Sequence, residues 1–187
     1  LLSYELSVEE KSLKHPIILP GAPGEDSKLI DPEAATNIAI STYVDADVNF
    51  LQGMIIHHQQ AIVMSNMADK RTNNKTIVDL ANRINASQED EISFMENWLN
   101  SRDEDISVNH DGHHMHIGMA GMASEAELKK LENSESTDFD KLFLQLMISH
   151  HDGALKMVKD LKEYPGAAYD PILNKFISDL VNDQSIE

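Results

Sequence analysis

The chain has 187 residues and a formal net charge of −17 at pH 7, with 32 acidic side chains against 15 basic ones. This excess of negative charge argues against a nucleic-acid binder, because phosphate contacts need lysine and arginine. There is no cysteine, which excludes disulfide scaffolds, zinc fingers and thiol catalysis. Hydrophobic residues make up 41% of the chain, enough for a packed core, and nine methionines accompany nine histidines.

The first 44 residues are expected to form an extended arm with a short helix at its end. Pro16, Pro20 and Pro23 forbid a continuous helix through this segment. Asp31 and Pro32 then fit the N-cap and the first position of a short helix. The chain starts without an initiator methionine or a basic leader, which is typical of a mature or trimmed form whose signal peptide has been removed.

Four long helices and one short helix are predicted from the hydrophobic periodicity. Apolar residues recur at spacings of three, four and seven, which places one face of each helix in a core. A Ser-x-x-Glu capping box at residues 124–127 marks the start of the short helix. No run of 18 apolar residues is present, so no membrane span is expected. The predicted helices cover 45–70, 75–101, 124–133, 138–163 and 171–187.

The first and third long helices carry related sequences at a constant offset of 93 residues. Nine of the fifteen positions in 50–64 are identical in 143–157, including a Met-x-x-His-His motif. The helices that follow are also related, since the Gln-x-x-Glu of 88–91 recurs at 184–187. Two hairpins that cannot bury their apolar faces alone would pair into a four-helix bundle. The second copy stops where the first continues, so the natural chain is expected to extend further.

The repeat sets the predicted organisation of the chain. An N-terminal arm over 1–44 precedes a bundle over 45–187. Within the bundle, repeat 1 covers 45–101, a connector rich in His and Met covers 102–137, and repeat 2 covers 138–187.

The two Met-x-x-His-His motifs predict a metal site. Met54 lies three residues before His57 and four before His58, so these side chains are neighbours on one helix surface. Carboxylate-bridged di-iron bundles have Glu where this methionine stands. A thioether in both repeats favours copper, especially Cu(I), over iron and zinc. The predicted helix ligands are Met54, His57, His58, Met64, Met147, His150, His151 and Met157.

Polar residues on the second helix of each hairpin are predicted to support these histidines. A carboxylate that accepts a hydrogen bond from the other ring nitrogen would fix the orientation of a ligand histidine. Direct ligation by the glutamates is the alternative. Whether the two His pairs share one site or form separate sites stays open. The supporting residues are Gln88, Glu91, Gln184 and Glu187.

The connector holds a third group of candidate ligands. Seven histidines and methionines fall within thirteen residues, a composition typical of metal binding. A solvated polar loop is the alternative, although exposed methionines would be unusual there. The candidates are His110, His113, His114, Met115, His116, Met119 and Met122.

With these motifs, residues 45–187 resemble the DUF305 family. The family's Met-Ile-x-His-His-x-x-Ala-Ile-x-Met signature is present at 54–64 and, with changes, at 147–157, and Gln-x-x-Glu-Ile follows at 88–92. Gly121-Met122-Ala123-Ser124 is similar to the family's Gly-Met-x-Ser/Thr start of the short helix. The resemblance implies an all-α, ferritin-like four-helix bundle. It also implies copper, because some members are periplasmic copper-binding proteins associated with copper resistance.

The expected function is therefore an exported protein, periplasmic or secreted, that binds copper for sequestration or resistance. Two alternatives stay open. One is a ferritin-like metal-dependent oxidoreductase, which needs an open metal position and substrate access. The other is a structural or partner-binding bundle whose histidines make only hydrogen bonds. No catalytic residue is predicted. The expected partners are metal ions, without nucleic acid, and a homo-oligomer or a metal-transfer partner is left open.

Overall fold

The computed structural model of the chain describes residues 17–19, 26–32, 35, 43–107 and 119–187. It divides the chain into two units, Leu1–Thr42 and Tyr43–Glu187. The described part of the second unit is mostly helical, which confirms the predicted helical class. None of the described helices is long and apolar enough to cross a membrane.

The first unit contains a short β-hairpin that the sequence did not predict. Strands β1 (Ile17–Leu19) and β2 (Lys28–Ile30) pair antiparallel, with Ile17 opposite Ile30. Each strand has only three residues, too few for an alternating pattern to stand out. Further on, Pro32 and Ala35 are helical, and the Ala35 N–H donates to the Asp31 carbonyl at 3.0 Å, where a short helix was expected.

The described helices of the second unit follow the predicted order. The long helices supply most of the buried side chains, while α2 and α4 are short. Their bounds are α1 Asp45–Ser65, α2 Ala68–Arg71, α3 Lys75–Asn100, α4 Glu125–Glu132, α5 Ser136–Lys162 and α6 Pro171–Ile186.

The first predicted helix is interrupted, so the expectation of a continuous helix over 45–70 is wrong. α1 ends at Ser65, and Asn66 and Met67 form a turn before α2. Asparagine favours turns over helix interiors because its side chain offers alternative hydrogen bonds. Here the Asn66 Oδ1 accepts a bond of 2.8 Å from Asn85 Nδ2, which ties the turn to α3.

Side-chain caps set the starts of α4 and α6. Ser124 Oγ accepts from the Glu127 N–H, and the Ser124 N–H donates to Glu127 Oε2 at 2.8 Å, so the predicted capping box is confirmed. Asp170 Oδ1 accepts from the Leu173 N–H at 2.8 Å, with Pro171 in the first position of α6.

Two apolar clusters succeed each other along the helices. On α1, buried residues of 48–55 belong to the first cluster and those of 61–64 to the second. On α3 and α5 the order is reversed, since both enter the second cluster before the first. α1 is therefore antiparallel to α3 and to α5, and it packs against both, while α5 also packs against α6.

Asp47 ties the start of α1 to the loop before α6. Its side chain is fully buried. Oδ2 accepts from the Val44 N–H at 3.0 Å, and Oδ1 accepts from the Ala168 N–H at 2.7 Å. Both carboxylate oxygens are thus satisfied, as a buried acidic group requires.

A buried ion pair links the end of α3 to the start of α6. Arg102 Nη2 donates to Asp170 Oδ2 at 2.5 Å, and both side chains are almost completely buried. The Arg102 guanidinium also lies 3.9 Å from the ring centroid of Trp98. This stacking gives the planar cation an aromatic face as well as a carboxylate partner.

Candidate metal site

A polar layer lies where the two apolar clusters meet. His57 and His58 on α1 stand between residues of the first cluster and residues of the second, and so do His150 and His151 on α5. All four side chains are buried, with 0%, 0%, 0% and 5% of their surface exposed. The packing therefore brings both predicted histidine pairs to one level of the helical unit.

His57 and His150 form an inner pair across α1 and α5. Their ring centroids are 3.8 Å apart, with an angle of 36° between the planes. His57 Nε2 lies 3.0 Å from the Ala120 carbonyl oxygen. A carbonyl can only accept, so Nε2 carries the proton and Nδ1 carries the lone pair.

Three nitrogens of the inner pair have no hydrogen-bond partner among the described residues: His57 Nδ1, His150 Nδ1 and His150 Nε2. Burial lowers the pKa of His57 to about 4. Burial, reinforced by the neighbouring histidines, lowers the pKa of His150 to about 2. Both imidazoles are neutral at pH 7, which is the form that ligates metals.

His58 and His151 each face a carboxylate instead. His58 Nε2 lies 2.6 Å from Glu91 Oε2, and His151 Nε2 lies 3.1 Å from Glu187 Oε2. His151 Nδ1 donates to the Met147 carbonyl at 2.9 Å. The two histidine–carboxylate contacts occupy equivalent places in the two repeats. Glu91 on α3 contacts His58, and Glu187 directly after α6 contacts His151.

The His58–Glu91 contact is electrically neutral over a wide pH range. Burial, together with nearby His151, lowers the pKa of His58 to about 3. Burial raises the pKa of Glu91 to about 8, with Asp183 and Glu187 adding to the rise. Between these values the pair holds one proton and carries no net charge. Gln88 and Gln184 are also buried here, and their amide atoms have no partner among the described residues.

The methionines on α1 and α5 fall into different surroundings. Met54 is fully buried in the first cluster, and Met147 is buried in the second, each about one turn from its histidines. Met64 is fully buried in the second cluster together with Phe139 and Phe143. Met157 is only partly buried and lies against the first cluster. Met64 therefore also serves as ordinary core packing.

Residues 120–123 of the connector are fastened to both histidine helices. Gln60 Nε2 donates to the Ala123 carbonyl at 2.9 Å, and the Ala123 N–H donates back to Gln60 Oε1 at 2.7 Å. On α5, a Cβ added to Gly153 would lie 2.0 Å from the Ala120 oxygen and 2.7 Å from the Gly121 Cα. Only glycine allows so close a backbone approach.

Sequence reasoning missed these two fastening residues, although a signal was present. Gln60 and Gly153 occupy the same position of the repeat, and there the copies differ. Both are used to hold residues 120–123. At this position the two copies differ because Gln60 makes hydrogen bonds to Ala123, whereas Gly153 allows the backbone of Ala120 and Gly121 to approach.

The predicted connector ligands are only partly described. Met122 lies within residues 120–123 and Met119 directly precedes them, and both are half-buried. The other candidates lie outside the described residues: His110, His113, His114, Met115 and His116. Within the described ranges, no three side chains of His, Asp or Glu group into a metal site. A complete coordination sphere at the inner pair would therefore need thioether or connector ligands.

These features define a helical protein with paired, buried histidines. Residues 47–187 match the model of a family described as "Domain of unknown function (DUF305)", and the chain belongs to this family. A solved DUF305 protein of Streptomyces coelicolor, described as secreted, is similar in fold, with a TM-score of 0.66 and 30% sequence identity. The match covers 75% of this chain and 86% of that one.

CopM, solved with bound copper, is also similar. Its Cu(I)-bound form gives a TM-score of 0.58 at 27% identity, and its Cu(II)-bound form gives 0.59 at 29% identity. Both matches cover 75% of this chain and 88% of CopM. An uncharacterized protein of Acanthamoeba polyphaga mimivirus is 40% identical over 65 residues, which span 35% of this chain and less than half, 42%, of the viral protein.

Proposed function

We propose that this protein binds copper, with Cu(I) favoured, for sequestration or resistance. The observation that carries the proposal is the inner pair: two buried imidazoles with ring centroids 3.8 Å apart and three unpartnered nitrogens. The similarity to CopM, whose solved forms hold Cu(I) and Cu(II), supports copper as the metal.

The chemistry of the inner pair fits a soft cation. A buried nitrogen without a hydrogen bond costs about 1–3 kcal/mol of stability, so a ligand that takes up its lone pair relieves that cost. The lowered pKa values of His57 and His150 keep the lone pairs free of protons at pH 7. Imidazole and thioether together suit Cu(I) better than they suit Mg²⁺ or Ca²⁺.

The proposed ligands form an inner set and a supporting set. Met54, His57, Met147 and His150 form the inner set. His58 and His151 are held in orientation by Glu91 and Glu187. The remaining proposed ligands and supporting residues are Met64, Gln88, His110, His113, His114, Met115, His116, Met119, Met122, Met157 and Gln184.

The fold proposed for residues 45–187 is a ferritin-like four-helix bundle of two tandem hairpins. α1 and α3 form the first hairpin, and α5 and α6 form the second. α3 and α5 pass through the two apolar clusters in the same order, which requires a long crossover between them, and the connector with α4 supplies it. Ferritin-like bundles have one such crossover. Residues 1–44 would be a separate arm.

Export to the periplasm or the medium is part of the proposal. The relative from Streptomyces coelicolor is described as secreted. A site of thioether and imidazole also needs no thiol that an oxidising compartment would convert to disulfide.

Anaerobic titration with Cu(I) against a competing chelator tests the proposal. We expect tight binding by the wild-type protein and at least a hundredfold weaker binding by the His57→Ala/His150→Ala variant. His15→Ala removes a histidine that precedes residues 45–187 in the sequence and serves as the control. Equal affinity of the double variant and the control would contradict the inner site.

Two other results would favour the alternative functions. A melting temperature unchanged by copper, zinc, nickel and iron would favour a structural bundle. Turnover with bound metal and O₂ that disappears in His57→Ala would favour an oxidoreductase.

A further inference from the structure

A groove in the second unit is lined by residues of α1 and α5. It has a volume of about 540 Å³, and its lining includes Gly53, Met119, Met157, Asp45 and Asp160. Gly53 precedes His57 by four residues, or about one helical turn. The groove therefore reaches the helix face next to a histidine that is itself fully buried.

Two methionine side chains approach Gly53 closely. A Cβ placed on Gly53 would lie 3.6 Å from the Met157 Cε and 3.7 Å from the Met119 Sδ. The equivalent position in the second repeat is Leu146, which is buried in the second cluster. The missing side chain at Gly53 thus leaves room for the two methionines on one side of the molecule.

The position of Met119 is set by its neighbour. Ala120 contacts His57 through its carbonyl and passes close to Gly153 on α5. Met157 is on α5 and Gly53 is on α1, so the thioethers bridge the two helices that carry the inner pair. Both methionines are partly exposed, whereas the inner pair is closed to solvent.

We propose that Met119 and Met157 form an outer binding site for a soft monovalent cation, Cu(I) or Ag(I), through which the ion reaches His57. The inference rests on the proposed copper function and adds a route to the buried pair. Thioethers bind soft cations without having to lose a proton. The carboxylates of Asp45 and Asp160 line the same groove and raise the local concentration of cations. Transfer inward is an exchange of ligands, and the ion stays monovalent throughout.

Methionine methyl NMR with Ag(I) tests the outer site directly. Ag(I) is soft and monovalent and does not undergo redox cycling in air. With the chain labelled at its methionine methyl carbons, we expect less than one equivalent of Ag(I) to shift the Met119 and Met157 signals. Met67 and Met95, which lie outside the groove, should not move. Shifts at Met54 and Met147 alone would overturn the outer site.

The His57→Ala/His150→Ala variant separates the outer site from the proposed function. Ag(I) should still shift the Met119 and Met157 signals there, since the thioethers remain. Loss of those shifts in the variant would overturn an independent outer site. If no methyl signal of the wild-type protein responds, both the outer site and the proposed function fail.

Loading kinetics test the route. Leucine matches methionine closely in volume and lacks the sulfur. In Met119→Leu/Met157→Leu, we expect Cu(I) to reach the inner pair at least tenfold more slowly. Met67→Leu is the control and should load at the wild-type rate. Equal rates in the double variant and the wild type would overturn the route.

Discussion

His57 and His150 are stacked with ring centroids 3.8 Å apart, yet their hydrogen bonding is unequal. His57 donates to the Ala120 carbonyl, whereas both ring nitrogens of His150 lack a partner among the described residues. The repeat makes the two positions equivalent in sequence, but the connector contacts only one of them through this bond. Substitutions at the two positions should therefore have different consequences.

Phenylalanine at either position keeps an aromatic ring in the stack and removes the nitrogens. His150→Phe should change the stability of the metal-free protein by no more than about 1 kcal/mol, because neither ring nitrogen of His150 has a hydrogen-bond partner at ordinary distance among the described residues. His57→Phe should cost about 1–3 kcal/mol, because the half-buried Ala120 loses the donor to its carbonyl. Urea denaturation of the metal-free variants measures both. A larger loss for His150→Phe than for His57→Phe would contradict the assigned bonding.

Because Glu91 is buried, the free energy of unfolding should depend on pH. Its pKa is raised to about 8 chiefly by burial, so the folded state keeps its proton while the unfolded state loses it near pH 4.5. This group's contribution to stability is therefore full below pH 4.5 and is lost as the pH rises to 8. Glu91→Gln cannot ionise, so the variant should gain stability relative to the wild type between pH 5 and 8. Each unit of pKa shift corresponds to about 1.4 kcal/mol.

The buried histidines change the stability with pH in the direction opposite to Glu91. Their lowered pKa values mean that the unfolded state binds protons first, near pH 6.5, and that stability falls as the pH drops from 6.5 towards 4. Both the wild type and Glu91→Gln should show this acid limb. Thermal denaturation from pH 4 to 9 in low-metal buffer gives the comparison, and parallel curves for the two proteins above pH 5 would contradict the raised pKa of Glu91.

Two helical glycines form a matched pair for alanine substitution. At Gly53 the new Cβ would make ordinary van der Waals contacts of 3.6 and 3.7 Å, so Gly53→Ala should stabilise the protein by about 0.5–1 kcal/mol. At Gly153 the Cβ would collide with the Ala120 oxygen at 2.0 Å. Gly153→Ala should cost about 1–3 kcal/mol, because the backbone must shift. Chemical denaturation checks the signs, and equal effects would contradict the close approach.

The buried pair of Arg102 and Asp170 should matter far more than a surface pair. Asp170→Ala leaves the Arg102 charge buried without its carboxylate and also uncaps α6, so we expect a loss of about 3–5 kcal/mol. Lys175→Ala, which breaks the exposed pair with Asp179, should cost at most about 0.5 kcal/mol. Denaturation midpoints measure both losses, and similar values for the two variants would be inconsistent with the burial of the first pair.

Much of the fold could be predicted because local signals and periodicity agree. The capping box of Ser124 and Glu127 and the Asp170-Pro171 start of α6 are short-range features, and both appear as the sequence indicates. The break at Asn66 was missed because it depends on a bond to Asn85 on another helix. The hairpin of the first unit was missed because its strands are too short to show a pattern.

In the candidate site, too, the residues follow from short sequence motifs, whereas the contacts between helices do not. The four histidines of the repeated Met-x-x-His-His motif are all buried, and Glu91 and Glu187 each lie against one of them. The repeat left open whether His57 and His150 approach each other, since that depends on the packing of α1 on α5. The contact of Gly153 with Ala120 is likewise a matter of backbone distance, which composition does not reveal.

The stacking of His57 on His150 also has a consequence for the order of events during synthesis. A ribosome-bound chain that has emerged only as far as residue 107 possesses one partner of the stack and lacks the other. The inner pair comes into existence only after α5 has been made and has packed on α1. Completion of the fold, rather than local helix formation, is thus the step that assembles these two imidazoles, and partly made chains would lack the pair.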